Sequence, residues 1–401
     1  MRGSGILDEF PAWECGQLLW ESYRNVGDWA LRPRHRRGAP MFGSAAAEMR
    51  TAQLGRADWV DPELRAALEV IRDMLADPRG AGAHALALAC RRVSAWAGAH
   101  GKPATQFYFA AAAGLCVPED ARQAYHAGSL ARDLAKWDAA EAWLEYAVAA
   151  ARRRRDRETQ TLAVLGIGNM FYRQGLYRRA REAQGAALVL ARKHGLGEMQ
   201  GRALHDLFIT CAETQDLRRA EENARLALEA YGSRHPSVPL LAHDVALFWL
   251  NNGYPARALN VLTALLPRMQ LPIHRIHVLA SIGWAAGCCG DRELFERSWA
   301  GVWALADTSD ARPRAAPSLL QVAYGAAGLA ETTLAGAAAR AALDAARKRG
   351  EADVITRAET LLAGLETGAL PTECSSQAPA PPAERSGDRL VEELAQSLHE
   401  V

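Results

Sequence analysis

The stretch FYRQGLYRRAREAQGAALVLARKHG, residues 171–195, contains a helical pattern that stops at Gly175, restarts at Tyr177 and ends at Gly195. The restarted helix carries alanine at Ala180 and Ala187, which lie two helical turns apart and therefore on one face. Two helices separated by a glycine turn predict an antiparallel helix pair. Several such pairs at a regular interval would predict a repeat array.

Similar turns recur along most of the chain, at Gly101, Ala135, Gly175, Gln215, Gly253, Gly290 and Ala330, with successive intervals of 34, 40, 40, 38, 37 and 40 residues. Short side chains dominate the position five residues after each turn, where the residues are Gln106, Ala140, Ala180, Ala220, Ala258, Phe295 and Ala335. They also dominate the position twelve residues after it, which holds Ala113, Ala147, Ala187, Ala227, Leu265, Val302 and Ala342. Small residues at fixed positions allow the two helices of each pair to approach closely.

The two most regular units, LGIGNMFYRQGLYRRAREAQGAALVLA and HAGSLARDLAKWDAAEAWLEYAVAA, resemble the tetratricopeptide repeat (TPR) family. Tyr177 and Trp137 stand where that family often has an aromatic residue, whereas Phe208 and Phe295 replace small residues. The resemblance covers residues 83–363 and implies an all-α fold, a right-handed superhelical α-solenoid of antiparallel helix pairs. The alternative is a helical bundle without repeats.

The composition of the chain argues against several classes of function. The 401 residues carry a net charge of +1, which gives no overall bias towards nucleic acid or an anionic membrane. The seven cysteines include no C-x-x-C pair, so neither a disulfide framework nor a zinc site is expected. The sequence contains no signal-peptide pattern and no run of 18 apolar residues. We therefore expect a cytoplasmic protein without a membrane span or a cofactor.

The ends of the chain differ from the repeats. We expect residues 1–60 to form an N-terminal extension with an aromatic amphipathic helix, and residues 61–366 to form the repeat domain. Residues 367–388, rich in Pro, Ser and Ala, predict a disordered linker. Residues 389–401 predict a short amphipathic helix whose apolar positions are Leu390, Val391, Leu394 and Leu398. That helix either docks on the array, binds a partner or has no role.

The TPR resemblance also implies a binding surface, because the first helix of each pair lines the concave face in that family. The residues it places there are Arg132, Asn169, Tyr172, Arg173, Arg202, His205, Asp206, His243, Asp244 and Trp284. Such a surface suits an extended peptide with acidic groups or a free carboxylate. The family's carboxylate clamp is not predicted, since only Asn169 and scattered arginines match it.

Three functions follow in order of preference. The first is a non-catalytic scaffold that binds a peptide or protein partner through the groove of first helices. The second is a bacterial regulator that responds to a peptide or ligand and lacks its own DNA-binding domain. The third is a metal-dependent hydrolase using the pairs His205–Asp206 and His243–Asp244. These pairs stand 38 residues apart, so repetition alone accounts for them. Without phosphate-loop, nucleophile-elbow or dinucleotide motifs, no enzyme is expected and no direct contact with nucleic acid.

Overall fold

The computed structural model describes residues 4–11, 13–55, 61–308, 311–371, 374 and 385–399. Within these ranges the regular structure is helical, with twenty α-helices and no strand. The chain divides into two compact units, Met1–Met199 and Gln200–Val401. None of the described helices is both long enough and apolar enough to cross a membrane.

Unit 1 contains ten helices. They are α1 (Ser4–Asp8), α2 (Trp13–Leu31), α3 (Ser44–Gly55), α4 (Pro62–Ala76), α5 (Ala83–Ala99), α6 (Pro103–Cys116), α7 (Ala121–Asp133), α8 (Trp137–Arg154), α9 (Arg157–Arg173) and α10 (Tyr177–Lys193). From α5 onward they form helix pairs in which the two helices pack on each other: α5 with α6, α7 with α8 and α9 with α10.

Unit 2 also contains helix pairs. Its helices are α11 (Gly197–Glu213), which begins just before the boundary, α12 (Leu217–Tyr231), α13 (Val238–Asn251), α14 (Pro255–Leu265), α15 (Pro272–Cys289), α16 (Arg292–Ala306), α17 (Ala315–Gly328), α18 (Thr332–Arg349), α19 (Ala352–Thr367) and α20 (Arg385–His399). The pairs are α13 with α14, α15 with α16 and α17 with α18. The odd-numbered helices from α5 to α17 are called first helices below, and the even-numbered helices from α6 to α18 second helices.

All seven turns predicted from the spacing have the same backbone geometry. Their central residues, Gly101, Ala135, Gly175, Gln215, Gly253, Gly290 and Ala330, have φ between 53° and 78°. The amide of the following residue bonds back to the last turn of the first helix, as from Leu176 N to Phe171 O at 2.9 Å. This pattern is the Schellman motif, which ends a helix and reverses the chain. The predicted all-α architecture of helix pairs is therefore confirmed.

The small residues of the repeat pattern lie where the paired helices meet. Ala140, Ala180 and Ala220, five residues after their turns, are completely buried, as are Ala147 and Ala187 twelve residues after theirs. The larger Phe295, at one of these positions, is also buried. Because a side chain longer than Ala would need more space between most pairs, this burial explains the periodic small residues.

Glycines bring first helices α15 and α17 into backbone contact. A Cβ atom added at Gly287 would overlap the carbonyl group of Gly325, and one added at Gly325 would overlap the carbonyl oxygen of Gly283. A Cβ atom at Gly328 would stand 3.1 Å from the carbonyl oxygen of Gly287. At Gly287 and Gly325 there is no room for a side chain between the two helices.

The N-terminal helices pack on the first helix pair. Helix α2 lies against α6 and α4 and buries Leu19, Val26 and Trp29. The carboxylate of Glu9 accepts hydrogen bonds from the amides of Ala104 and Thr105, at 2.6 and 2.9 Å. These amides belong to the first turn of α6, where a helix leaves its N–H groups unsatisfied and favours negative charge.

The C-terminal helix α20 docks on unit 2, against α12, α13 and α14. It buries Leu390, Val391, Leu394 and Leu398, the four apolar positions of the sequence pattern. Arg257 Nε lies 3.0 Å from Asp388 Oδ1, and Arg268 Nε donates to the carbonyl oxygen of Leu398 at 2.8 Å. Of the three possibilities considered for this helix (docking on the array, binding a partner or no role), the structure shows docking. Most of the predicted linker, residues 372–373 and 375–384, lies outside the described residues.

Candidate binding surface on the first helices

The ten predicted contact residues all lie on first helices. Unit 1 holds four of them, Arg132 on α7 and Asn169, Tyr172 and Arg173 on α9. Unit 2 holds the other six, which are Arg202, His205 and Asp206 on α11, His243 and Asp244 on α13, and Trp284 on α15.

In unit 1, two arginines from successive first helices converge on one carboxylate. Arg132 Nη2 lies 3.1 Å from Asp133 Oδ1, and Arg173 Nη1 lies 3.3 Å from the same oxygen. The side chain of Arg173 is 49% exposed, whereas that of Arg132 is 17% exposed. The sequence singled out both arginines but not Asp133, which is the residue that joins them.

Asn169 and Tyr172 are held by the second helix of their own pair. Gln184 Nε2 of α10 donates to Asn169 Oδ1 at 3.4 Å, and Gln184 itself is buried. The half-buried ring of Tyr172 lies 5.8 Å from that of Tyr177, measured between centroids. Both side chains are therefore fixed in place by packing.

In unit 2, polar side chains link four successive first helices. The residues are His205, His243, Asp244, Ser281 and Gln321, and we call this set the inter-repeat ladder. His205 Nε2 lies 3.0 Å from Asp244 Oδ2, and Ser281 Oγ lies 3.5 Å from His243 Nε2. Ser281 Oγ also lies 3.3 Å from Gln321 Oε1. Because His205 and His243 are only 6% and 8% exposed, they mainly connect neighbouring repeats.

Two groups at the ladder have shifted pKa values. Burial alone would raise the pKa of Asp244, but the hydrogen bond with His205 and the charges of His205 and His243 outweigh it and hold that pKa below its usual range. The neighbouring His277 ring has its centroid 4.6 Å from that of His243. Burial, with a smaller effect of His243, lowers the pKa of His277 to about 3. His277 is therefore neutral near pH 7.

The remaining predicted residues differ in exposure. Trp284 is 2% exposed and packs against Tyr324, with ring centroids 5.3 Å apart. Arg202 and Asp206 are half-buried and already interact with other groups. In unit 2, Trp284 therefore belongs to the core, while Arg202, Asp206 and Asp244 retain exposed atoms.

The ladder contains serine, histidine and aspartate in contact, which invites comparison with a hydrolytic triad. The His243 Nδ1 to Asp244 Oδ1 distance is 3.9 Å, too long for a hydrogen bond that would orient a catalytic base. Ser281 is fully buried, and its hydroxyl donates to the carbonyl oxygen of His277 at 3.0 Å. No group of three or more His, Cys, Asp or Glu side chains within the described ranges is arranged to hold a metal ion. The chemistry that this geometry supports is a structural link between repeats.

No protein-family model and no curated protein sequence matches the chain. Among solved structures, it is similar to aspartyl phosphate phosphatase F from Bacillus subtilis, with a TM-score of 0.50 and 10% identity over 90% of this chain and 97% of that one. The chain has the TPR type of fold. The Schellman turns, the buried small residues and the pairing of successive helices are all features of this fold.

Two further structures show lower scores. BtubC (BKLC) from P. vanneervenii has a TM-score of 0.42 and 17% identity over 66% of this chain and 93% of that one. A kinesin light chain protein with nearly identical TPR-like repeats from Podosopora anserina has a TM-score of 0.40 and 17% identity over 47% of this chain and 95% of that one. At such identities the similarity concerns the fold alone.

Proposed function

We propose that this protein is a non-catalytic scaffold that binds a peptide or protein partner carrying carboxylate groups. The partner binds the surface of first helices α7 and α9 that carries four of the predicted contact residues, which we call the first-helix face. The main contacts are Arg132, Asn169, Tyr172 and Arg173 in unit 1. A TPR-type fold supports this proposal, because stacked helix pairs present extended surfaces to partners. The side chains are also held in place before binding, which lowers the entropic cost of association.

The observation that carries the proposal is the shared carboxylate of Asp133. Two guanidinium groups from successive repeats already hold one carboxylate oxygen, at 3.1 and 3.3 Å. Each guanidinium has five N–H donors, so Arg132 and Arg173 retain donors beyond those used on Asp133. The cluster of two cations and one anion keeps one positive charge, which a partner carboxylate would balance.

The unit 2 residues have two roles in this proposal. The ladder residues His205, His243 and Asp244, together with the buried Trp284, hold the first helices of unit 2 in register. Arg202 and Asp206 are half-buried on α11 and would supply secondary contacts. Only a few repeats would make the strongest contacts with the partner. This agrees with protein interfaces in general, where a few residues contribute most of the binding energy.

The proposal is tested first by affinity capture from the native cell. Immobilised full-length protein is compared with the variant Arg132→Ala/Arg173→Ala and with the control Arg178→Ala, whose side chain is 84% exposed on second helix α10. We expect the first variant to lose specific partners that the control keeps. Equal partner sets for all three proteins would contradict the proposal.

A second measurement uses an acidic peptide taken from the captured partner and labelled with fluorescein. Arg173→Ala should weaken its binding about tenfold, since a hydrogen bond to a charged group contributes about 1.5–3 kcal/mol. Asp133→Asn should tighten binding, because it removes the internal carboxylate that competes for the arginines. Weaker binding by Asp133→Asn would show that the partner does not take the carboxylate position.

A further inference from the structure

An open groove lies in unit 1, between α2, α6 and the start of α8. Its volume is about 1140 Å³, and half-buried aromatic side chains line it: Trp20, Tyr23, Tyr108, Trp137 and Trp143. We call it the aromatic groove. It contains none of the residues of the first-helix face, so it is independent of the function proposed above.

Packing holds the walls of the aromatic groove in place. Tyr23 of α2 and Tyr108 of α6 have ring centroids 5.0 Å apart. Trp143 lies against Gly114 of α6, where an added Cβ atom would stand 2.9 Å from the indole ring. The buried side chain of Phe107 also contributes to the lining. The groove is therefore formed before any ligand arrives.

Two cations stand at the aromatic groove. Lys136 Nζ lies 5.6 Å from the centre of the Tyr108 ring, and Arg24 Cζ lies 4.9 Å from that of Trp20. Neither cation has a salt bridge to a carboxylate among the residues that the structure describes. Asp138 is the acidic residue of the lining, so the groove keeps a net positive charge.

The aromatic residues also offer hydrogen-bond donors. The indole N–H groups of Trp20, Trp137 and Trp143 and the hydroxyls of Tyr23 and Tyr108 make no hydrogen bond within the described part of the chain. A ligand with free carbonyl oxygens along its length would satisfy such donors. A helical peptide would not, because its own amides already occupy its carbonyl oxygens.

We propose that the aromatic groove binds a proline-rich peptide in the polyproline II conformation that carries a carboxylate side chain. Polyproline II has no internal hydrogen bonds, so its carbonyl oxygens are free to accept from tryptophan and tyrosine donors. Proline rings pack against aromatic faces, and the preformed conformation keeps the ordering cost low. The carboxylate pairs with Lys136 or Arg24. The volume, above the range of about 300–1,000 Å³ typical of small-molecule pockets, suits a peptide.

The test uses the full-length chain and a fluorescein-labelled peptide of eight prolines followed by two glutamates, with binding followed by fluorescence anisotropy. We expect saturable binding that Trp137→Ala weakens at least about tenfold, as for an aromatic anchor in an interface. Lys136→Glu, which removes a cation without changing the aromatic walls, should weaken it to a similar extent. The matched control is Trp299→Ala, a half-buried tryptophan on second helix α16 of unit 2, which should leave binding unchanged.

Two comparison peptides separate the features of the ligand. The same peptide with lysines in place of the glutamates should bind about tenfold more weakly, because it meets Lys136 and Arg24 with like charge. An alanine-rich helical peptide ending in two glutamates should bind no better than that. Arg173→Ala should not affect binding, which separates this site from the first-helix face.

The proposal is overturned if the folded wild-type chain fails to bind the proline–glutamate peptide. It is also overturned if the helical peptide binds equally well, or if Trp299→Ala weakens binding as much as Trp137→Ala does. Far-UV circular dichroism of each variant establishes that the fold is kept, and Lys136→Glu serves as the decisive variant if Trp137→Ala unfolds.

Discussion

Replacing His277 with phenylalanine should reduce the loss of stability that the protein shows on mild acidification. The His277 ring packs beside His243, and its Nδ1 atom is buried without a hydrogen-bond partner in the described residues. Burial is the main reason that its pKa falls from 6.5 to about 3, and the charges of His243, Arg314 and His274 lower it further. Phenylalanine keeps an aromatic ring at this position and has no proton to bind.

The direction and size of the effect follow from proton linkage. Between pH 6.5 and pH 3 the unfolded chain protonates His277 and the folded chain does not, so the unfolded state binds more protons. The contribution of neutral His277 is therefore intact above about pH 6.5 and is lost progressively as the pH falls towards 3. For these two pKa values, the loss between pH 8 and pH 5 amounts to about 2 kcal/mol.

The measurement is urea denaturation followed by far-UV circular dichroism at pH 8 and pH 5. We expect the loss between these pH values to be about 2 kcal/mol smaller for His277→Phe than for the wild type. His274→Gln, which alters an exposed histidine on the same helix, should behave as the wild type. Asp244 does not interfere, since its lowered pKa affects stability only below about its ordinary value of 3.8. Equal losses for the wild type and His277→Phe would refute the reasoning.

Three further predictions concern packing and turns. Gly325→Ala should lower the free energy of unfolding, measured by urea denaturation, by about 3 kcal/mol, because its Cβ would overlap a backbone carbonyl of α15. Gly185→Ala, with no atom within 4 Å of its Cβ, should instead raise that free energy by up to about 1 kcal/mol. Similar effects of the two substitutions would contradict this account of the packing. Ala135→Gly should raise the melting temperature, because glycine adopts the φ of 53° at this turn without the strain of a Cβ atom. Gly175→Ala should lower the free energy of unfolding by about 1–2 kcal/mol for the same reason. A stabilising Gly175→Ala would exclude this explanation. Leu394→Ala should cost about 2–5 kcal/mol and speed deuterium exchange in α20, and unchanged exchange would show that the helix docks without this contact.

The turns show how much of the fold the sequence predicts. Gly101, Gly175 and similar glycines mark a turn by residue type, but Ala135, Gln215 and Ala330 do not. The repeat interval alone located these three, and each has the left-handed φ of a Schellman turn. The division after Met199 was not predicted, because it depends on the total of packing contacts rather than on any local pattern.

Contacts between repeats were harder to predict than the repeats themselves. The resemblance placed Arg132 and Arg173 on first helices, and the structure brings them together on Asp133. The burial of His205 was not visible in the sequence, because it depends on contacts with Tyr231 and Asp244 from two other helices. The aromatic groove depends on α2 packing against α6, which brings Trp20 near Trp137 across more than a hundred residues of chain. No periodic pattern connects two such positions.

The glycine contact between α15 and α17 has a consequence for how unit 2 can respond to a ligand. At Gly287 and Gly325 the two backbones meet directly, so no side chain at this contact can change its rotamer to let one helix move past the other. We therefore expect the two helices to move together about this contact. Any bending within unit 2 must be absorbed elsewhere, at pairs whose interfaces are filled by larger and more adaptable side chains.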